Sequence, residues 1–185
     1  MRAGQLLNPN ATFALAQTLR STGLTLAEVF TFASGLYFRG KITYARRFAA
    51  GGAGEVRIIT TNAGLVEPET RVTPESLRAF GGDDINEANP RYLEPLRRDA
   101  HELRDTLAAD GVAILLGSIA MAKYRDVLLE VFGDRLMFPA EFVGRGDMSR
   151  GGLLLQQART GEELRYVPVR GAIYSGRRAP RIADM

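Results

Sequence analysis

The residues GRGDMSRGG at 144–152 gather the densest set of groups in this chain that can hold an anion. Four of the nine are glycines, which let backbone approach a ligand closely, and Arg145 and Arg150 supply positive charge. Asp147 or Ser149 can cap the helix that follows, leaving other amides near Gly144 and Gly146 for an anion. The plainer reading keeps Asp147 as an N-cap and the glycines as turn formers. The segment lacks the GxxxxGK[ST] order of a P-loop, and no GxGxxG follows a strand, which argues against ATP hydrolysis and NAD chemistry.

A second cationic segment is FRGKITYARRF at 38–48. Arg39, Thr43 and Arg46 or Arg47 fall on successive turns of one helix, with Lys41 and Tyr44 nearby. Such a face can hold phosphates, or it is a solvated helix face. Tyr124 follows the apolar run VAILLGS by a few residues, where an aromatic ring either stacks on a base or packs into the core. His101, the only histidine, lies among Asp99, Glu102 and Asp105 on a helix, is expected on its exposed side, and is not read as a catalyst.

Several chemistries are closed by composition. The 185 residues include no cysteine, which removes disulfides, thiolate nucleophiles and cysteine-held metals. A single histidine removes HExxH zinc sites and leaves one Ser-His pairing. No metal and no cofactor are expected, so any reaction must use Asp, Glu, Arg, Lys, Tyr, Ser or Thr.

The formal charge of +3 is unevenly spread. Residues 67–110 carry eleven acids against six arginines, a net of −5, and the rest of the chain carries +8. Residues 36–48 and 164–183 hold only basic charges. Nucleic acid is therefore one candidate partner, although 22 arginines against 2 lysines beside abundant Ala and Gly also fit GC-rich coding. Neither a signal sequence nor a run of about 20 apolar residues occurs, so no membrane is expected and the cytoplasm is the default location.

These groups need elements to position them. At 20.2 kDa and 45% apolar residues, one domain with one core is expected. Asn10 or Thr12 can cap a helix to about Ser21, ended by Gly23, and Thr25 with Glu28 has capping-box spacing for a second helix over 26–33. Helical spacing continues through Phe38, Ile42, Ala45 and Phe48 until GGAG at 51–54. VRIITT at 56–61 and VAILLGS at 112–118 read as buried strands, RLMFP at 135–139 as a third, and LRYVPV with GAIY as a β-like end. Helices are predicted near Thr73-Pro74, over about 91–109 behind an Asn89-Pro90 start, over 121–132 and over 149–159.

Strands separated by helices imply an α/β fold with a small, mostly parallel sheet, helices on both faces and a helical N-terminal extension over 1–34. The domain is expected to span 1–175, with a basic tail over 176–185. Ligands bind beyond the carboxyl ends of parallel strands. That selects three loops for one cleft: Thr60, Thr61, Asn62 and Gly64; Gly117 and Ser118; and Gly144 to Gly152.

Taken together, SGLYFRGKITYARRFA, VRIITTNAGLVEP and AILLGSIAMAKYRDVLLEVFG followed by GRGDMSRGG resemble bacterial proteins distantly similar to the uracil-DNA-glycosylase-like α/β fold. The counterparts are Ser34 to Tyr44, Gly64 to Pro68, Gly117 to Tyr124, and Gly144 to Gly152. The peroxide-stress-protein family is similar in its strand and GLL-x-P turn. The glycosylase's water-positioning residue before Pro-Tyr and its His-Pro-Ser loop have no counterpart, so uracil excision is not carried over.

The resemblance implies a nucleobase- or nucleotide-sized crevice, with cleavage or exchange at an N-glycosidic bond as its reaction. Asp147 would then be the catalytic carboxylate. Arg39, Lys41, Arg145 and Arg150 would contact phosphate, and Asn62 or Ser118 the base or ribose. Two other readings stand beside it: a non-catalytic nucleotide- or nucleic-acid-binding module, and an interaction domain whose acidic 67–110 face docks a partner or a second copy, making a homo-oligomer.

Overall fold

The computed structural model describes residues 2–49, 55–82, 85–86 and 88–172. The GGAG run, the end of GAIY and the basic tail lie outside the described residues. The order is α1 (Arg2–Leu6), α2 (Ala14–Ser21), β1 (Leu24–Thr25), α3 (Leu26–Ser34), α4 (Leu36–Ala49), β2 (Ile58–Ile59), β3 (Leu65–Val66), β4 (Arg71–Val72), α5 (Pro74–Gly81), α6 (Pro90–Thr106), β5 (Ala113–Ile114), α7 (Ala122–Phe132), β6 (Leu136–Pro139), α8 (Asp147–Thr160) and β7 (Tyr166–Pro168). The class is mixed α/β.

Local signals place several ends. The Thr25–Glu28 capping box forms, the Thr25 hydroxyl accepting from the Glu28 amide at 3.2 Å while Glu28 accepts from the Thr25 amide at 2.7 Å, and it starts α3 as a helix. Asn89 accepts from the Arg91 amide at 3.1 Å ahead of Pro90, giving α6 its start. Helix α2 departs from expectation: it begins after Phe13 without a side-chain cap, rather than at Asn10 or Thr12.

A mostly parallel sheet does not form among the described residues. Strand β5 pairs parallel with β6, and β7 runs antiparallel on the other side of β6. Strand β2 belongs elsewhere, because the chain just after it turns back and takes its edge. Gly64 turns at φ 68°, the Thr60 amide and hydroxyl donate to its carbonyl at 2.9 and 3.0 Å, and β3 returns antiparallel with Ile58 opposite Val66. Closing so short a loop costs far less entropy than recruiting a strand over fifty residues away. A further antiparallel pair joins β1 to β4.

Two buried apolar clusters form where one core was expected. The first holds Tyr92 and Leu96 of α6, Val127 to Phe132 of α7, Leu136 and Phe138 of β6, and Leu154 of α8. The second holds the N-terminal helices, Val72, Ile58 and Leu77. Helix α4 serves both, giving Tyr44 to the first and Ile42 to the second. It meets α8 at two glycines. A Cβ on Gly40 would lie 2.6 Å from the Gly151 carbonyl oxygen, and one on Gly151 would lie 2.9 Å from that of Leu36, so the backbones approach as only glycine permits.

Candidate functional site

The crossing of α4 and α8 fixes which α4 side chains face the beginning of α8. Tyr37 and Lys41, one turn apart, share a flank of α4 with Gly40, and Lys41 Nζ sits 4.0 Å from the centroid of the Tyr37 ring. The Tyr37 hydroxyl donates to the Leu116 carbonyl at 3.4 Å, linking this flank to the loop after β5. Since β5 and β6 are parallel neighbours, the loops after both leave the same edge of their sheet.

On α8, the Arg150 Nε and NH2 groups donate to the Phe142 carbonyl at 3.2 and 3.1 Å, and its guanidinium lies 5.4 Å from the Phe142 ring centroid. Its NH1 is 3.5 Å from Asp147 Oδ1. Arg150 is 13% exposed and Asp147 67%, so the guanidinium sits at the base of the site and the carboxylate at its mouth.

The electrostatics bind these groups into one unit. Burial raises the Tyr37 hydroxyl from 10.0 to about 12, with Arg150 opposing the rise and Asp147 and Tyr124 adding to it. Burial also lowers Lys41 from 10.5 to about 8, Asp147 opposing and Arg150 reinforcing the fall. Lys41 is half-buried and makes no hydrogen bond or ion pair among the described residues. Tyr124, also raised by burial, donates to the Ser118 carbonyl at 2.8 Å and pins the loop after β5. Behind it Tyr92 is fully buried with a hydroxyl that has no hydrogen-bond partner among the described residues, pushed up to about 12 by burial and then by Tyr124.

Lys41, Ser118, Tyr124, Asp147 and Arg150 are thus joined through this network. Arg145 donates to the Ser149 hydroxyl at 3.1 Å beside it. Neither Asp147 nor Ser149 caps α8: Gly146 occupies the cap position, Asp147 begins the helix, and Ser149 answers Arg145. The glycines also do something other than approach a ligand. Gly144 makes a turn at φ 74°, Gly151 seats α4, and Gly146 and Gly152 face open space. Gly117 is buried, with Tyr124 and Leu115 where a Cβ would point.

The remaining expected residues have other settings. Arg39 is exposed on α4, apart from the half-buried Lys41 flank. Thr61 donates to the Phe80 carbonyl at 2.8 Å and Asn62 to that of Ala79 at 2.9 Å, so both hold the end of α5. Asn62 also lines an open groove of about 560 Å³ with Arg91, Glu94, Pro95 and Arg98, none of which belongs to the Lys41 network. The loop after β2 thus leaves a different sheet from the loops after β5 and β6. His101 is half-buried, not exposed as expected.

Tyr37 is the site residue that sequence reasoning missed. Its i, i+4 spacing to Lys41 on a predicted helix was the available signal. Among the described residues no group of three or more His, Cys, Asp or Glu side chains could hold a metal, and no helix is long and apolar enough to cross a membrane. Comparison with known proteins gives no matching family model, curated protein or solved structure.

Proposed function

We propose that the junction of α4 and α8 binds a phosphate-bearing ligand of the nucleotide class. The observation carrying this reading is Lys41. An ammonium group half-withdrawn from water, without an ion pair among the described residues and beside a guanidinium, is costly unless an anion from outside completes it. Arg150 supplies the second positive charge, and the rings of Tyr37 and Tyr124 offer aromatic surface for a base. The earlier resemblance to a nucleobase-handling fold agrees with this ligand class.

Within the same reading, Asp147 is the carboxylate available to stabilise positive charge at an anomeric carbon or to activate water, so an N-glycosidic bond is the proposed point of reaction. The test is calorimetric titration with thymidine and adenosine 5′-monophosphates, with nucleoside hydrolysis measured in parallel. Lys41→Gln is expected to weaken binding about tenfold while leaving the fold intact. Asp147→Asn should keep binding and lose at least about tenfold in turnover. Unchanged function in that variant would leave a binding module alone, and unaltered affinity in Lys41→Gln would reject the site.

A further inference from the structure

We propose that the outer face of α4 and α8 is a second surface, which binds the phosphate backbone of a nucleic-acid duplex without reading its sequence. It goes beyond the nucleotide reading above and does not depend on it. The geometry begins with the direction of the two helices. A Cβ on Gly151 would meet the backbone of Leu36 and Tyr37 at the start of α4, while the Arg47 guanidinium, near the end of α4, lies 3.4 Å from where a Cβ on Gly161 would stand, just past α8. The two helices therefore run side by side in the same direction, and Arg47 reaches across to the end of α8 that carries Arg159.

Packing leaves Arg39, Thr43, Arg46 and Arg47 of α4 exposed, together with Gln156, Arg159 and Thr160 of α8. Arg46 is answered by Glu69. Arg39, Arg47 and Arg159 make no ion pair or side-chain hydrogen bond among the described residues. Helix α4 contains no acid, and the one acid of α8, Asp147, stands 3.5 Å from Arg150. Beyond α8, Glu163 accepts from the Tyr166 hydroxyl at 2.8 Å, and the exposed Glu162 pairs with neither Arg47 nor Arg159. The face is positive, and its own chain leaves three of its charges unanswered.

Charge, spacing and the residues between the arginines select the occupant. About 12 Å of helix axis separates Arg39 from Arg47. Over that length one strand of a duplex presents roughly three or four phosphates, one for each 3.4 Å or so. Guanidinium forks match phosphate oxygens, and the Thr43 and Thr160 hydroxyls and the Gln156 amide are groups that bond to the same backbone. Tyr37, Phe38, Tyr44 and Phe48 are buried or half-buried, so α4 offers no exposed ring on which the bases of a single strand would stack. Met148 is the one large apolar side chain exposed on the pair, which is too little for a helix face that enters a lipid surface.

The test is fluorescence anisotropy with two labelled duplexes of unrelated sequence, each about 20 base pairs, between about 50 and 200 mM salt. Three phosphate contacts give a slope of about −2.7 in log affinity against log salt, a fall of roughly 40-fold over that range. Arg39→Gln, Arg47→Gln and Arg159→Gln are each expected to make the slope shallower by about 0.9, and the triple variant to lose nearly all of it, with thermal melting unchanged. Arg104→Gln, whose guanidinium is already paired with Asp105 at 2.7 Å, should leave the slope as it is. No duplex binding, an unchanged slope in the triple variant, binding to phosphatidylglycerol vesicles but not to duplex, or a preference of about tenfold for one sequence overturns the proposal. Thymidine 5′-monophosphate titration separates the two readings. A triple variant that loses duplex and keeps the nucleotide supports a second surface, whereas a wild type that binds duplex but no nucleotide removes the Lys41 reading alone.

Discussion

The junction of α4 and α8 and the groove beside Asn62 both hold arginine and a carboxylate, yet they treat charge differently. Along the acidic stretch that includes the groove, several charges are answered within the chain. Arg98 meets Asp99 at 2.7 Å, Arg97 meets Glu130 at 3.0 Å, Arg104 meets Asp105 at 2.7 Å, and Glu69 pairs with Arg46. Asp99 is also used inward, accepting the Leu65 amide at 2.9 Å and so docking the β2–β3 turn on α6. At the junction, Lys41 has no such answer among the described residues, and the Asp147 carboxylate is held 3.5 Å from Arg150 at the solvent boundary. Net charge along the sequence therefore says less about binding than whether each charge already has a mate.

The strongest way to break this contrast is to separate the two helices that create the junction. Gly151→Leu places a side chain against the Leu36 and Tyr37 backbone and is expected to cost about 3 kcal/mol or more in urea unfolding, with loss of the proposed nucleotide binding. Gly146→Ala, five residues earlier with open space at its Cβ, should stay within about 0.5 kcal/mol. Equal effects would show that close approach of α4 and α8 is not what builds the site.

A smaller effect, of opposite sign, comes from the unanswered charge itself. Lys41→Met should stabilise the protein by about 1–2 kcal/mol at pH 7, less than the full shift because part of the side chain reaches solvent. Below about pH 8 both folded and unfolded chains hold the Lys41 proton, so its cost is fully present. Between about 8 and 10.5 the unfolded chain binds more protons, wild-type stability gains relative to the variant, and the advantage of methionine fades. Tyr37 and Tyr92, which titrate higher in the fold than outside it, cancel in the difference. Thermal melts from pH 7 to 10.5 measure this. The smallest change is expected from Glu94→Gln in the groove, within about 0.5 kcal/mol across the same range; a gain matching Lys41→Met would erase the distinction between the two regions.

What the sequence made legible follows from distance along the chain. The Thr25–Glu28 box, the Asn89-Pro90 start and the α7 and α8 segments are decided within a turn or two, and the corresponding residues carry the signal. The sheet was misread because Asn62 and Gly64 were taken to end a strand, while they also begin its return, and Leu65–Val66 is too short to announce itself. Lys41, Asp147 and Arg150 were visible as charges, but their meeting depends on Gly40 and Gly151, 111 positions apart, which no local pattern links. Tyr37 was passed over because an aromatic beside an apolar stripe reads as packing.

Helix α4 lends one side to each of two apolar clusters, with Tyr44 and Ile42 only two residues apart. Its hydroxyl from Tyr44 also meets that of Tyr166 at 2.7 Å and accepts the Leu164 amide at 2.8 Å, tying the far end of the chain to the same helix. Neither cluster can come apart without stripping a shared wall from the other, so melting should proceed as a single cooperative event. Amide protons within 36–49 should then be among the slowest to exchange with deuterium, escaping only when the whole molecule opens, and the lysine on that wall is held in register by both halves of the protein.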